Sequence, residues 1–458
     1  MRPVPAKHSV RLTLLTPCIL GATAPGCKSE ASLEPEQAGA AAEHILEPSA
    51  PLLLPTDPPG SSNSNPDGAP AAERSALDIR QIGSPAEGSP LHVFMTATLG
   101  PVDVLHDFCE LGDRPLYCGL RAVLSLSGGA LERDRYLEQG LPHDSRGWLV
   151  DGVMAGFGHF PNDAWLITFR ENLVHPSRVC LHRWLGGRWQ VVKTSLADPS
   201  VIAYVSLGRG GAVVARDENN ASLEGLGTLH GVWHLVGSGN PCGARSSVRS
   251  LVGFDDGSMI GLTDFECDAD EVIERWPTPA ARPVLERLPH QDADGDRIVG
   301  LRGIWGTRPD NLVAYGELFA PNSNADTTRA LLAHLENGHW MRSSTPPLVN
   351  EIAGYAVDAQ GREWVMGPTL GEDMTNYHLW RRGSPNDWSN VPLPVRCQPW
   401  ELKSVGGDVW VTCDAPPTGH DRTKFILSTR APTRVVDLAE VLHDPADAAT
   451  SSQSPSRR

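Results

Sequence analysis

An all-β chain built from repeats is the expectation here, and three observations carry it. Between residues 89 and 443 helical periodicity is scarce, and short alternating runs of Val, Leu and Trp are broken by Gly, Asp, Asn and Pro. A turn followed by an apolar strand recurs, with Tyr117, Trp165, Val213, Ile260, Val313, Trp364 and Trp410 in one column. Their spacings are 48, 48, 47, 53, 51 and 46 residues. Hairpin turns recur within the periods, Gly186-Gly187 in the second and Asn337-Gly338 in the fifth. Strand repeats of this length are propeller blades. Four antiparallel strands per period, seven times over, predict a seven-bladed β-propeller across residues 91–443.

The second period shows how the strands are placed. Residues 153–157 precede the marker strand 164–169; residues 178–184 follow, and 188–193 return after the turn. The last period offers strands at 400–405, 409–413, 424–430 and 434–438. Residues 91–98 also alternate, through Leu91, Val93, Met95 and Ala97. An unpaired strand edge invites aggregation, so this segment is expected to lie against the last period and join the two ends of the domain.

Ahead of the repeats, Arg2, Lys7 and Arg11 form a basic start, residues 12–24 a modest apolar stretch, and Ala24-Pro25-Gly26 a run of small residues before Cys27. This resembles a bacterial lipoprotein signal over residues 1–27, which implies lipid attachment at Cys27. An ordinary cleaved export signal is the alternative. Residues 28–90 are rich in Pro, Ala, Ser and Glu, with ten acidic residues against Lys28, Arg74 and Arg80. Too little apolar surface is available there to offset the entropy of ordering, so a disordered acidic linker is expected. Residues 444–458 read as a second disordered tail.

Three stretches carry a resemblance. Gly303-Ile304-Trp305-Gly306-Thr307-Arg308-Pro309-Asp310-Asn311-Leu312-Val313-Ala314-Tyr315-Gly316 is similar to a propeller repeat of secreted bacterial proteins, of pattern VWG-x-x-P-x-D-V-W-A-V-G. Residues 157–166 form a second copy, and Asp358-Ala359-Gln360-Gly361-Arg362-Glu363-Trp364 resembles the D-x-x-G-x-x-W turn of a related propeller class. The resemblance implies fold and export, because such repeats serve many roles.

Cysteines offer a test of register. Cys18 and Cys27 fall in the signal, and the remaining seven are expected to be largely paired in an exported protein. Cys109 and Cys118 are equidistant from Asp113-Arg114; Cys397/Cys413 and Cys242/Cys267 bracket the corresponding hairpins of other blades. Each pair is expected to stabilise the fold by about 2–4 kcal/mol. Cys180 is left over and reads as a small apolar strand residue rather than a nucleophile.

Composition narrows the function classes. With 39 Lys+Arg against 55 Asp+Glu the net charge is −16, which argues against nucleic acid as a partner. Asp292, Asp294 and Asp296 alternate as in a calcium loop. Arg297 replaces the following Gly, however, and Gly303 stands where a closing Glu would. An acidic loop between blades is the preferred reading, with no cofactor beyond that calcium candidate. His230 and His234 would lie about 13 Å apart on a strand, too far to share one zinc. Glu266, Asp268, Asp270 and Glu271 read as a solvated loop. No nucleophile elbow, P-loop or dinucleotide-binding glycine pattern occurs. The Trp set, including Trp165, Trp184, Trp189, Trp305, Trp340, Trp364, Trp380, Trp388 and Trp410, reads as blade packing rather than sugar stacking.

Two function classes follow. The first is a membrane-tethered binding or scaffold module for a protein, peptide or glycan, monomeric and held in the cell envelope at the outer membrane. The second is a propeller-type lyase or glycoside hydrolase with its site at the channel mouth, for which no repeated acid or base set is found. If Cys27 carries the lipid, the full chain partitions with membranes and Cys27→Ser releases it to the soluble fraction. Equal solubility of both forms contradicts lipid anchoring.

Overall fold

The computed structural model describes residues 88–99, 108–111, 114–118, 122–145, 147–170, 178–194, 201–206, 212–216, 223–227, 231–234, 246–265, 272–278, 281, 283–287, 297–319, 328–369, 376–415, 422–438 and 441. They form 29 strands and almost no helix. The first strand, β1 (His92–Leu99), stands apart from those that follow it. One sheet then comprises β2 (Phe108–Leu111), β3 (Arg114–Cys118), β4 (Val123–Ser127) and β5 (Ala130–Arg133). The second holds β6 (Gly152–His159), β7 (Asp163–Arg170), β8 (Arg178–Leu185) and β9 (Arg188–Thr194). The third is β10 (Val201–Ser206), β11 (Ala212–Arg216), β12 (Leu223–Gly227) and β13 (Gly231–His234). The fourth is β14 (Ser246–Gly253), β15 (Met259–Phe265), β16 (Val272–Trp276) and β17 (Val284–Arg287). Next come β18 (Arg297–Arg308), β19 (Asn311–Phe319), β20 (Thr328–Glu336) and β21 (His339–Arg342). These are followed by β22 (Gly354–Val357), β23 (Glu363–Pro368), β24 (Tyr377–Ser384) and β25 (Asp387–Asn390). The last sheet is built on β26 (Gln398–Val405), β27 (Asp408–Asp414), β28 (Arg422–Ser428) and the two-residue β29 (Val436–Asp437).

The first six sheets run in chain order, each an antiparallel meander; the seventh takes the order β26-β27-β28-β1-β29. Successive sheets touch through their first strands: β2 meets β6, β6 meets β10, and so on to β22 and β26. First strands therefore gather at a common axis and fourth strands fan outward, which is a β-propeller.

The column of seven markers lies on the second strand of every sheet: Tyr117 on β3, Trp165 on β7, Val213 on β11, Ile260 on β15, Val313 on β19, Trp364 on β23 and Trp410 on β27. Trp165, Ile260, Val313, Trp364 and Trp410 are fully buried, where they fill the spaces between sheets. The preceding turn fixes two of them. Asp358 accepts hydrogen bonds from the Gln360 and Arg362 amides at 3.0 and 2.9 Å and from the Trp364 indole at 3.1 Å. Asp163 accepts from the Trp165 indole at 3.2 Å. Turn and core thus lock together through one carboxylate.

A second regularity lies on the first strands. Met154, Ile202, Arg249, Arg302 and Trp400 each fall in a register shift, three residues before the strand partner of the marker. A bulge at that point leaves one residue without a partner and strengthens the local twist.

Closure follows the sequence expectation, with one correction. β1 pairs antiparallel with β28, from His92 opposite Ser428 to Leu99 opposite Arg422. It is the fourth strand of the seventh sheet, a place the sequence assigned to residues 434–438. Only Val436–Asp437 forms a strand there, parallel to β1 and outside it. Phe94 packs against Trp410 at 4.8 Å between ring centroids. The same core takes in Leu124, Ala130 and Leu131 of the first sheet. Thr433 then donates its amide to the Gly129 carbonyl at 2.8 Å and its hydroxyl to that of Gly128 at 3.0 Å.

Cys397 and Cys413 form a disulfide closing a separation of 16 residues, which constrains the unfolded chain by about 3 kcal/mol. Cys109 is aligned with Leu116, so Cys118 lies a diagonal step away rather than opposite, because the hairpin turns one register pair earlier than its symmetric sequence suggests. The side chains of Cys109 and Cys118 lie outside the described residues, as do Cys242 and Cys267. Cys180 is buried on β8 opposite Thr168. The expectations for residues 1–27, for 28–87 of the linker and for the 444–458 tail fall outside the described residues as well.

Removing residues 91–98 takes away the strand that closes the last sheet, and the melting temperature of the whole domain is expected to fall in one cooperative transition. Phe94→Ala alone is expected to cost about 3–5 kcal/mol in urea unfolding. A loss below 1 kcal/mol contradicts the account of the seam.

Candidate functional site

The connection from β5 to β6, residues 134–151, is the longest between consecutive sheets. Long connections with their own packing are uncommon and often functional. Its apolar residues explain why it is ordered. Leu137, Leu141 and Leu149 are buried in one cluster with Val153, Trp184 and Trp189 of the second sheet. Asp134 starts the first turn by accepting the Leu137 amide at 3.0 Å. Trp189 fastens the segment from the other side: its indole donates to the Leu137 carbonyl at 2.7 Å and its amide to that of Gln139 at 2.9 Å. Gly140 permits this approach, since a Cβ there would lie 2.4 Å from the Trp189 carbonyl oxygen.

Glu138 organises the polar side. Its side chain is 1% exposed, and it accepts from the Val123 amide at 3.1 Å and from Arg133 Nε and Nη2, both at 2.9 Å. His143 Nε2 stands 3.2 Å from its other oxygen and Arg135 Nη1 3.6 Å away. The two-point pairing with Arg133 satisfies the buried carboxylate, which would otherwise be costly to bury. Arg133 and Arg135 also donate to the Gly147 carbonyl, at 2.6 and 3.0 Å.

Above Glu138 opens a cleft of about 450 Å³, lined chiefly by Arg135, Gln139, His143, Gly147 and Arg188. Arg188 opens β9 and is exposed, and no carboxylate among the described residues pairs with it. Beside the cleft, Tyr136 is half exposed and meets Phe160 and Trp184 edge-on at 6.1 and 5.2 Å. Glu138 is thus shared among Arg133, Arg135 and His143 in a protein whose net charge is −16.

A second cluster lies at the axis. Arg302, the bulged residue of β18, places Nε 2.6 Å from Glu351 and Nη2 3.6 Å from Glu317. Burial, aided by the charge of Glu351, raises the Glu317 carboxyl above its ordinary range although Arg302 opposes this. Glu351 is held there by backbone contacts to both neighbouring sheets, Ile352 donating to Gly316 at 3.0 Å and Asn350 to Pro368 at 3.3 Å. Gly367 makes room, because a Cβ would meet the Glu351 carbonyl at 1.9 Å.

Between the fifth and sixth sheets, Glu363 takes hydrogen bonds from Tyr355 at 2.8 Å and from Arg382, with His334 Nε2 3.0 Å away. Burial works against its charge, but His334, Arg382 and Tyr355 outweigh it and hold the carboxyl at about 2. His182, buried on β8 with Nε2 2.8 Å from the Thr168 hydroxyl, is pushed down to about 4 by burial. These groups hold the sheets together.

Of the residues singled out in the sequence, Cys27, Asp292, Asp294, Asp296, His230, Glu266, Asp268, Asp270 and Glu271 lie outside the described residues. Trp165, Trp184, Trp189, Trp364, Trp388 and Trp410 are buried between sheets, as packing requires. Trp305 is partly buried against Tyr355 at 5.5 Å. The cleft residues Arg135, Glu138, His143 and Arg188 were missed by sequence reasoning. Their signal was the overlong interval between β5 and β6, filled with charged and apolar residues instead of turn formers.

No family model and no curated protein matches the chain. Among solved structures it is similar to the extracellular domains 1–2 of Drosophila Semaphorin 1b, at 9% identity over 75% of this chain and 87% of that one, with a TM-score of 0.40. It is similar also to the WD40 β-propeller domain of Doa1, at 10% identity over 73% and 96%, with a TM-score of 0.35. A third is the subtype N11 neuraminidase-like protein of A/flat-faced bat/Peru/033/2010 (H18N11), at 9% identity over 60% and 86%, with a TM-score of 0.36.

The buried groups set the acid limb of stability. The unfolded chain protonates its histidines near 6.5 and native His182 only near 4. Its contribution, about 3 kcal/mol, is therefore complete above pH 6.5 and lost as the pH falls to 4. Glu363 adds a further loss from 4.5 towards 2. Urea midpoints should fall across both windows, with the lower one flattened in Glu363→Gln. A midpoint constant from pH 7 to 4 contradicts the His182 assignment.

Proposed function

We propose that the protein is an exported propeller of seven blades, closed by β1 and tethered to the cell envelope through Cys27, that works as a binding module for a protein, peptide or glycan. The observation that carries this reading is the cleft lined by Arg135, Gln139, His143, Gly147 and Arg188. It is the product of the longest connection between sheets, packed by its own leucines, and it turns charged groups outward from a wall otherwise devoted to packing. Loops on a rigid scaffold are the usual carriers of recognition. The seven-blade reading is supported by seven sheets in sequence, each with a marker on its second strand. The lipid tether rests on the basic start, apolar stretch and small residues before Cys27.

A second reading, a lyase or glycoside hydrolase at the channel mouth, has one observation in its favour. Glu317 and Glu351 flank Arg302 on an axial strand, and the Glu317 carboxyl is raised. Raised carboxyls are suited to general acid chemistry.

Screening the full chain against glycan and peptide arrays separates the two. The binding reading expects a saturable ligand recovered chemically intact. Cleavage of a bound glycan, lost in Glu317→Gln while binding persists, replaces it with the enzyme. Absence of any saturable ligand removes the binding module.

A further inference from the structure

We propose that Glu317, Arg302 and Glu351 form a proton-controlled link between the fifth sheet and the connection leading into the sixth, closed while Glu317 holds its proton and loosened when it does not. The inference goes beyond the binding-module reading and is independent of it, since the link belongs to the fold and no ligand enters its test.

The geometry leaves one carboxyl in surplus. Arg302 directs its Nε to Glu351 at 2.6 Å, whereas its Nη2 stands 3.6 Å from Glu317, beyond hydrogen-bond distance. The side chains of Glu351 and Glu317 are only 6% and 14% exposed, so water compensates neither of them well. One guanidinium facing two enclosed carboxyls satisfies one, and a proton on the other removes the repulsion between like charges. Burial, followed by the charge of Glu351, raises the Glu317 carboxyl against the pull of Arg302. On β20, Glu317 is aligned with Ala330 and the adjacent Arg329 with Leu318, which puts Arg329 on the opposite face of the sheet. Tyr377, at the start of β24, acts electrostatically on Arg302. The side chains of Arg249 on β14 and Arg297 on β18 lie outside the described residues.

The backbone carries the effect further. Gly316 and Ile352 each stand next to one of the two glutamates, and the Ile352 amide donates to the Gly316 carbonyl at 3.0 Å. Repulsion between Glu317 and Glu351 therefore acts across that hydrogen bond. The connection is also strained nearby: Leu348 is 64% exposed and holds φ at 66°, a left-handed conformation unfavourable for leucine. Val349 is held to the fifth sheet by the Ala330 amide at 3.3 Å, and the Arg302–Glu351 pair with the Ile352 bond secures the residues that follow. When Glu317 passes its proton to water, Arg302 is drawn towards two carboxylates instead of one. Its hold on Glu351 weakens, and with it the attachment of residues 349–352.

The test is hydrogen exchange of the full chain between pH 4.5 and 8, corrected for intrinsic exchange and read by mass spectrometry on peptides containing Ile352. Wild type and Glu317→Gln are expected to exchange alike at pH 4.5, and wild type at least about threefold faster at pH 8. Glu351→Gln leaves Glu317 as the one carboxylate of the cluster, and the rise with pH disappears. Melting temperatures give an independent reading. A carboxyl raised in the native state stabilises it below the ordinary carboxylate range and loses that contribution as the pH rises through its native value. Glu317→Gln is therefore expected to melt level with wild type at pH 4.5 and above it at pH 8. Equal exchange of wild type and Glu317→Gln at both pH values, or a rise with pH retained in Glu351→Gln, overturns the proposal. So does a lower melting temperature of Glu317→Gln at pH 8, which would make ionised Glu317 a stabilising partner of Arg302.

Discussion

Everything in this domain depends on the pairing of β1 with β28. A sheet of three strands between two sheets of four would leave an unpaired edge and an uncovered face. β1 supplies the missing strand from the opposite end of the chain, and its Phe94 fills the core beside Trp410. Strands separated by more than 300 residues in sequence thereby become neighbours. The Thr433 bonds to Gly128 and Gly129 carry the join past the sheet itself to the first hairpin. The Cys397–Cys413 disulfide lies on the other side of that last sheet, joining its first two strands, so covalent and strand closure act on different edges of one element.

Apolar packing of sheet on sheet is the general device, and buried charges are placed where it needs direction. Asp358 ties a turn to the Trp364 indole, Glu363 collects groups from two sheets, and Glu138 anchors a connection against the first sheet. Each carboxylate has cationic or hydrogen-bonding partners that meet its oxygens, which is the condition under which a buried charge is tolerated. The same condition shapes the cleft. Glu138, buried beneath it, is met by Arg133, Arg135, His143 and the Val123 amide, which ties the connection to the first sheet.

The parts of the fold legible in the sequence were those encoded by local chemistry. The marker column was visible because a polar turn followed by a buried residue recurs at a nearly constant spacing. The Asp358 turn was visible because its whole hydrogen-bond set spans seven residues. Closure by residues 91–98 followed from alternation plus the cost of an open edge. What stayed hidden depends on pairing between distant segments. The bulges at Met154, Arg302 and Trp400 leave no trace in composition, since they are properties of two strands in register. Cys109 and Cys118 looked symmetric about a turn that the hairpin places one pair earlier. The cleft was hidden for the same reason: Arg188 and Arg135 are 53 positions apart and meet only through packing of the second sheet on the first.

That origin has a physical consequence for the cleft. One wall belongs to the connection leaving the first sheet and the other to the outer hairpin of the second, so its width is set by how the two sheets pack. Leu137 and Trp189 fix that distance from beneath, through an apolar contact and a hydrogen bond of 2.7 Å. A ligand in the cleft would therefore act on the same interface that buries Trp184. Binding and blade packing then share one free energy, in which anything that binds only the native form stabilises it. The site needs no moving part for this coupling, only that two sheets be held at a fixed separation by side chains lying under the ligand.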